Sequence, residues 1–130
     1  MDLNLNTDST PDATGNGSTG LERCRIVSPS GELDLANAAD LRSSLHGSES
    51  GWEVPRVIVD LTEVTFMDVS PLRELRAAQA LAHQYGGWLR LVHSHPGIDR
   101  LLRATGLSGT FPRYATRADA RAGAPTPTRP

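Results

Sequence analysis

The sequence predicts a single α/β domain: a mixed, largely parallel β-sheet of four to five strands with helices packed on it. Three observations carry that expectation. Val57-Ile58-Val59 is a continuous β-branched run, the pattern of a strand covered on both faces. Apolar stripes at helical spacing lie on either side of it in the chain, with Ala38, Leu41 and Leu45 before it and Leu72, Leu75, Ala78 and Ala82 after it. Strands alternating with helices imply βαβ units, whose crossovers are right-handed.

Each element has its own signal. Residues 24–27 and 32–35 read as two strands joined by the turn Ser28-Pro29-Ser30-Gly31, an antiparallel hairpin in which Pro and Gly supply the backbone angles. The first helix follows and ends at Gly47, and a Gly/Ser/Glu loop leads to the strand at 57–59. Residues 60–69 read as a connection to a second helix, which starts at Ser70-Pro71, extends its stripe to Tyr85 and is stopped by Gly86. Residues 88–92 form the next strand. Ile98, Leu101, Leu102 and Thr105 give a third helical stripe, closed by Gly106-Leu107 as a left-handed cap with a following apolar residue. A short extended piece through Phe111 and a last helical turn over residues 116–122 complete the domain. Residues 1–20 are too polar, and residues 123–130 too rich in Pro, to bury apolar surface. They are expected to be disordered tails around a domain at 21–122.

Composition narrows the function. The net charge is −2 and all 13 cations are Arg, so no basic field points to nucleic acid or to an anionic membrane. Cys24 is the only cysteine, which excludes an internal disulfide and a cysteine-built zinc site and fits a reducing compartment. Its expected place is as a small filler within a strand. No secretory pattern opens the chain and no apolar run is long enough to span a bilayer, so a cytoplasmic protein without membrane insertion is expected. Of the four histidines, His93 and His95 flank Ser94 where a strand should end, and a solvated loop explains them better than a metal site. Neither a G-x-S-x-G elbow nor a phosphate-binding glycine loop is present. These features point to a protein that binds other proteins, without a cofactor and without catalysis.

The segment from Val57 to Leu72 is the most informative, because a buried strand there delivers polar groups to a helix start. Ser70 suits the N-cap and Pro71 the first helical position, where its missing N–H goes unused. Capping alone explains both residues. The same hydroxyl is also a phosphorylation candidate: a phosphate would add about −1.5 to −2 charges while facing the positive end of the helix, so the helix would survive and a docked partner would feel the charge.

Several segments in order resemble landmarks of one family. Gly31-Glu32-Leu33-Asp34, the strand and loop from Val57 through Val64-Thr65-Phe66-Met67-Asp68, Gly86-Gly87-Trp88-Leu89, and Leu101-Leu102-Arg103-Ala104-Thr105-Gly106-Leu107 are similar to the STAS domain of bacterial anti-sigma factor antagonists. The resemblance runs over residues 23–122. It implies a STAS-like fold and a partner switch in stress-responsive transcription regulation. The unphosphorylated protein would bind an anti-sigma factor with serine kinase activity and so release a sigma factor; phosphate on the serine would end that binding, and a serine phosphatase would restore it. In the family the loop reads D-S-S-G and the second serine is the target. By that match Asp68 is the preceding aspartate and Ser70 the phosphoserine, while Val69 replaces the first serine and Pro71 the glycine. Pro71 stiffens the backbone and biases Ser70 away from helical angles. The implied partner-binding residues are Asp34, Thr65, Met67, Asp68, Val69, Pro71 and Arg73, with Arg76 beside them. Self-association as a homodimer stays open. So do two other uses of the fold: a subunit docked on a membrane lipid-transport ATPase, which needs no phosphoserine, and a nucleotide-sensing STAS domain.

Overall fold

The computed structural model describes residues 4–10, 24–46 and 54–126. In chain order the elements are β1 (Asn4–Thr10), β2 (Cys24–Leu33), a 3-10 turn (Leu35–Asn37), α1 (Ala38–His46), β3 (Arg56–Asp60), β4 (Glu63–Met67), α2 (Ser70–Gln84), β5 (Trp88–Val92), α3 (Pro96–Ala104), β6 (Arg113–Tyr114) and α4 (Arg117–Ala122). They form one six-stranded mixed sheet in the order β1-β2-β3-β5-β6, with β4 paired to β2. The β1–β2 pair is antiparallel and the remaining pairs are parallel.

Strand periodicity sorts the core onto two faces. Val27, Val57, Val59, Leu89 and Leu91 pack with residues of α1, α2 and α3 in the larger cluster. Their neighbours Ile26, Ile58 and Val92 point the other way and pack with Cys24, Tyr114 and Ala120 under α4. The β-branched run of β3 is buried because β2 and β5 flank it and helices cover both of its faces. Cys24 is a free, buried strand residue.

Charged groups tie these layers together. On the α1 face, the Arg25 guanidinium donates to the carbonyls of Ser44 and Leu45 at the C-terminal end of α1. On the α4 face, Arg90 lies 3.8 Å from the centroid of the Trp88 ring and donates to the Ala120 carbonyl at 2.8 Å. Asp60, at the end of β3, accepts from Arg117 Nε at 2.6 Å and from the Thr62 hydroxyl at 2.7 Å. Burial alone would raise its pKa, but these bonds outweigh burial and hold the carboxyl below its ordinary value.

Several sequence expectations are corrected. The hairpin at 24–35 does not exist: β2 runs unbroken from Cys24 to Leu33. Pro29 falls between the residues paired with β3 and those paired with β4, so no N–H is demanded there on that side. Gly31 adopts a φ of 90° where the register shifts, absorbing a bulge rather than reversing the chain. Asn4–Thr10 forms β1 instead of part of a tail; pairing with β2 satisfies its backbone without any need for an apolar sequence. The connection at 60–69 contains β4. At the other end, Gly123 caps α4 with a φ of 73° and the Thr126 N–H donates to the Arg113 carbonyl at 2.7 Å, so the ordered chain extends past 122. The remaining parts of both expected tails lie outside the described residues.

Helix 2 ends as its glycine requires. Gly86 takes a φ of 81°, its N–H donates to the His83 carbonyl, and the Gly87 N–H donates to the Ala82 carbonyl. Leu72, Leu75, Ala78 and Ala82 are buried as their spacing predicts, whereas Tyr85 is 63% exposed. Tyr85 is already the cap residue, outside helical angles, and so leaves the stripe. Gly106 and Leu107 close α3 with the same bond pattern, donating to Arg103 and Leu102. His93 departs furthest from expectation: it is fully buried rather than in a solvated loop, because its N–H continues the ladder to the Tyr114 carbonyl.

Candidate functional site

Two neighbouring parallel strands, β2 and β4, end side by side and deliver the candidate residues. Leu33 pairs with Met67, and the Asp68 N–H donates to the Leu33 carbonyl at 3.1 Å, so Asp34 and Asp68 leave the sheet together. Gly31 pairs with Val64 but Glu32 pairs with Phe66, which leaves Thr65 as an extra residue in β4. Such a bulge breaks the alternation of side chains. Thr65 and Phe66 are accordingly both exposed, between buried Val64 and Met67.

Each aspartate carboxylate closes a turn. Asp34 Oδ1 accepts from the Ala36 N–H at 3.0 Å, while the Asp34 N–H donates to Asn37 Oδ1 at 2.9 Å, a reciprocal capping box on the 3-10 turn. Asn37 is itself fixed by donating from Nδ2 to the Glu32 carbonyl at 2.7 Å. Asp68 Oδ1 accepts from the Ser70 N–H at 2.9 Å. The N-cap position of α2 is Val69, in right-handed helical angles and with no side-chain cap of its own. The expectation that Ser70 caps the helix is therefore corrected. Asp68 reaches two residues forward and performs that task, as Asp does in turns, and Ser70 is the first residue of α2. Pro71 does not push Ser70 out of the helix; Pro71 sits in the first turn, where no N–H is needed.

The predicted residues divide by exposure. Thr65, Val69, Arg73 and Arg76 are exposed, Asp34, Asp68 and Ser70 are half-buried, and Met67 and Pro71 face inward. The inward pair positions the loop and offers little surface. Three large apolar side chains stand in solvent at this end of the two strands: Leu35 at 75%, Phe66 at 52% and Val69 at 57% exposure. Leu35 was not singled out by sequence. Its signal was the Asp34/Asn37 spacing of a capping box, which turns the chain before Leu35 can continue as a buried strand residue. No acidic residue stands in the first turn of α2, and Arg73 lies three positions after Ser70 on the same side of the helix. Among the described residues, no cluster of His, Cys, Asp and Glu could hold a metal ion, and no helix is long and apolar enough to cross a membrane.

The arrangement defines a class: an α/β domain with a serine at a helix start, beside exposed apolar side chains at the ends of two strands. The sequence profile of the STAS domain matches residues 17–120, and the chain belongs to that family. An anti-sigma F factor antagonist from Paenibacillus polymyxa is 28% identical over 95 residues, covering 73% of this chain and 81% of that protein. Among solved structures, an anti-sigma factor antagonist from Mycobacterium paratuberculosis superposes with a TM-score of 0.73 at 24% identity, covering 95% of this chain and 94% of the other. The anti-sigma factor antagonist SpoIIAA in its unphosphorylated form superposes with a TM-score of 0.60 at 19% identity, over 75% and 84% of the two chains. These structural likenesses establish the fold.

Proposed function

We propose that this chain is an anti-sigma factor antagonist that works by partner switching. Its partner is an anti-sigma factor with serine kinase activity, and phosphate on Ser70 ends the complex. The observation that carries the reading is the division of labour between Asp68 and Ser70. Because Asp68 supplies the turn-closing acceptor, the Ser70 hydroxyl is not needed to start α2 and can be modified without dismantling the helix. Likeness to the Paenibacillus antagonist supports the kind of partner.

The physics of the switch is local. The exposed apolar groups Leu35, Phe66 and Val69 would bury against the partner, and a phosphate on Ser70 would place about −1.5 to −2 charges at the edge of that contact, close to Asp68. Burying such a charge without a matched cation is unfavourable. A loss of about 3 kcal/mol weakens binding roughly a hundredfold. Asp34 enters as the residue that fixes Leu35, and Arg73 as the cation nearest along the helix to the modified hydroxyl. Dephosphorylation by a serine phosphatase would restore binding.

The test combines mass spectrometry and affinity. Protein recovered from its native cells in growth and under stress should carry phosphate on Ser70 in a condition-dependent fraction. Ser70→Ala should keep the anti-sigma factor bound, and Ser70→Asp should release it. Equal binding by both variants overturns the switch.

A further inference from the structure

The bulge that exposes Phe66 also opens a groove of about 360 Å³ between β4 and one face of α3. That volume falls within the range of small-ligand pockets, about 300–1,000 Å³. Met67 and Ile98, at 9% and 2% exposure, form its floor. Phe66, Leu101 and Ala104 complete its apolar lining. Its polar lining residues are His95, Arg100 and Thr65 of β4. His95 is the N-cap of α3, Arg100 its middle residue and Ala104 its last, and no acidic residue lines the groove. His95 Nδ1 accepts from the Gly97 N–H at 2.9 Å, so the proton of its neutral ring sits on Nε2 as a donor. Arg100 is exposed and engages no hydrogen bond or ion pair among the described residues.

We propose that this groove binds a medium-chain carboxylate, with the carboxylate held by Arg100 and His95 and the alkyl chain laid along Ile98, Leu101 and Ala104. From Gly97 to Ala104 the helix rises ~10 Å, which suits an extended chain of about eight to ten carbons. Charge selects the head group: a groove lined by a guanidinium and an imidazole donor, with no carboxylate to repel an anion, favours a carboxylate over a neutral alcohol of equal length. The site is defined by the chain alone and requires no partner protein, so its failure would leave the antagonist reading untouched.

The experiment is a titration of the full-length, isotope-labelled chain with decanoate, followed by amide NMR shifts. Saturable shifts are expected at Phe66, Ile98 and Leu101. Decanol should bind roughly tenfold more weakly, and Arg100→Glu should weaken decanoate by roughly tenfold or more, in line with loss of a charge-assisted hydrogen bond. Ala104→Trp, an exposed position that would fill the groove, should weaken both ligands. A folded spectrum for each variant guards the comparison. Absence of saturable shifts at these residues overturns the proposal, and so does equal binding of decanol and decanoate or indifference to both substitutions.

Discussion

Asp68 Oδ1 accepts a hydrogen bond from the Ser70 N–H at 2.9 Å, so the carboxylate two residues before α2, rather than the serine hydroxyl, closes the turn into the helix. Removing that acceptor should cost about 1 kcal/mol, the usual worth of a helix-start cap. Asp68→Ala is expected to lower the urea midpoint accordingly. Asp68→Asn keeps an oxygen in the same place and should stay within about 0.5 kcal/mol of the parent. If Asn also destabilises by the full amount, the capping account is wrong.

The exposed trio at the strand ends should matter to a partner and not to the fold. Leu35→Asp and Val69→Asp replace side chains that are already 75% and 57% in solvent, so their unfolding free energies should move by no more than about 0.5 kcal/mol. Each should weaken the complex with the anti-sigma factor by at least roughly tenfold, as loss of a central apolar contact does. Leu81→Asp, on the far half of α2 and 40% exposed, is the control that should bind normally. Calorimetric titration reads all three. Parallel losses at Leu81 would place the contact elsewhere.

Gly87 occupies a position that no other residue can fill. A Cβ there would lie 1.7 Å from the Pro55 carbonyl oxygen, the acceptor for the Trp88 N–H at 2.9 Å. The neighbour is backbone at the entry to β3 and cannot rotate aside. Gly87→Ala should therefore destabilise by about 2–4 kcal/mol, in the range of substitutions that force the backbone to move. Gly109→Ala, where a Cβ meets nothing within 4 Å, should change little. Thermal melts of the two variants separate steric exclusion from a general intolerance of alanine.

Much of this architecture is written locally and some is not. The β-branched run of β3 and the stripes of α1 and α2 are legible because burial on a strand or helix face leaves a period in the sequence. The start of α2 is legible at Asp68-Val69-Ser70-Pro71, although which oxygen closes the turn depends on the angles of Val69. Strand β4 was hidden because the bulge at Thr65 sets two exposed side chains in succession and erases the period of two. β1 was hidden because an antiparallel partner supplies backbone bonds whatever its side chains are. Pro29 and Gly31 mimic a turn, and only the change of partner from β3 to β4 along β2 explains why they do not make one. Exposure of Leu35 and burial of His93 are tertiary outcomes with no periodic trace.

His93 gives the clearest pH prediction. Its ring is fully buried, and neither nitrogen meets a hydrogen-bond partner among the described residues. Burial drives its pKa below the ordinary 6.5; the Asp99 carboxylate of α3, 3.9 Å from Nε2, opposes that drift, while Arg113 of β6 and nearby His95 reinforce it. The unfolded chain thus binds a proton at a pH where the folded chain refuses it. Stability from this group is present above 6.5 and is lost as pH falls through that value, at up to about 1.4 kcal/mol per pH unit for one proton. Asp60 loses stability in the same direction but in a separate window, below its ordinary 3.8, because its folded pKa is lowered. Unfolding free energies measured from pH 7.5 to 4.5 should therefore decline for the parent and stay flatter for His93→Leu, which keeps similar volume and removes two unpartnered nitrogens. The leucine variant should be no less stable than the parent at the acid end. An unchanged slope in His93→Leu would assign the acid sensitivity to another group.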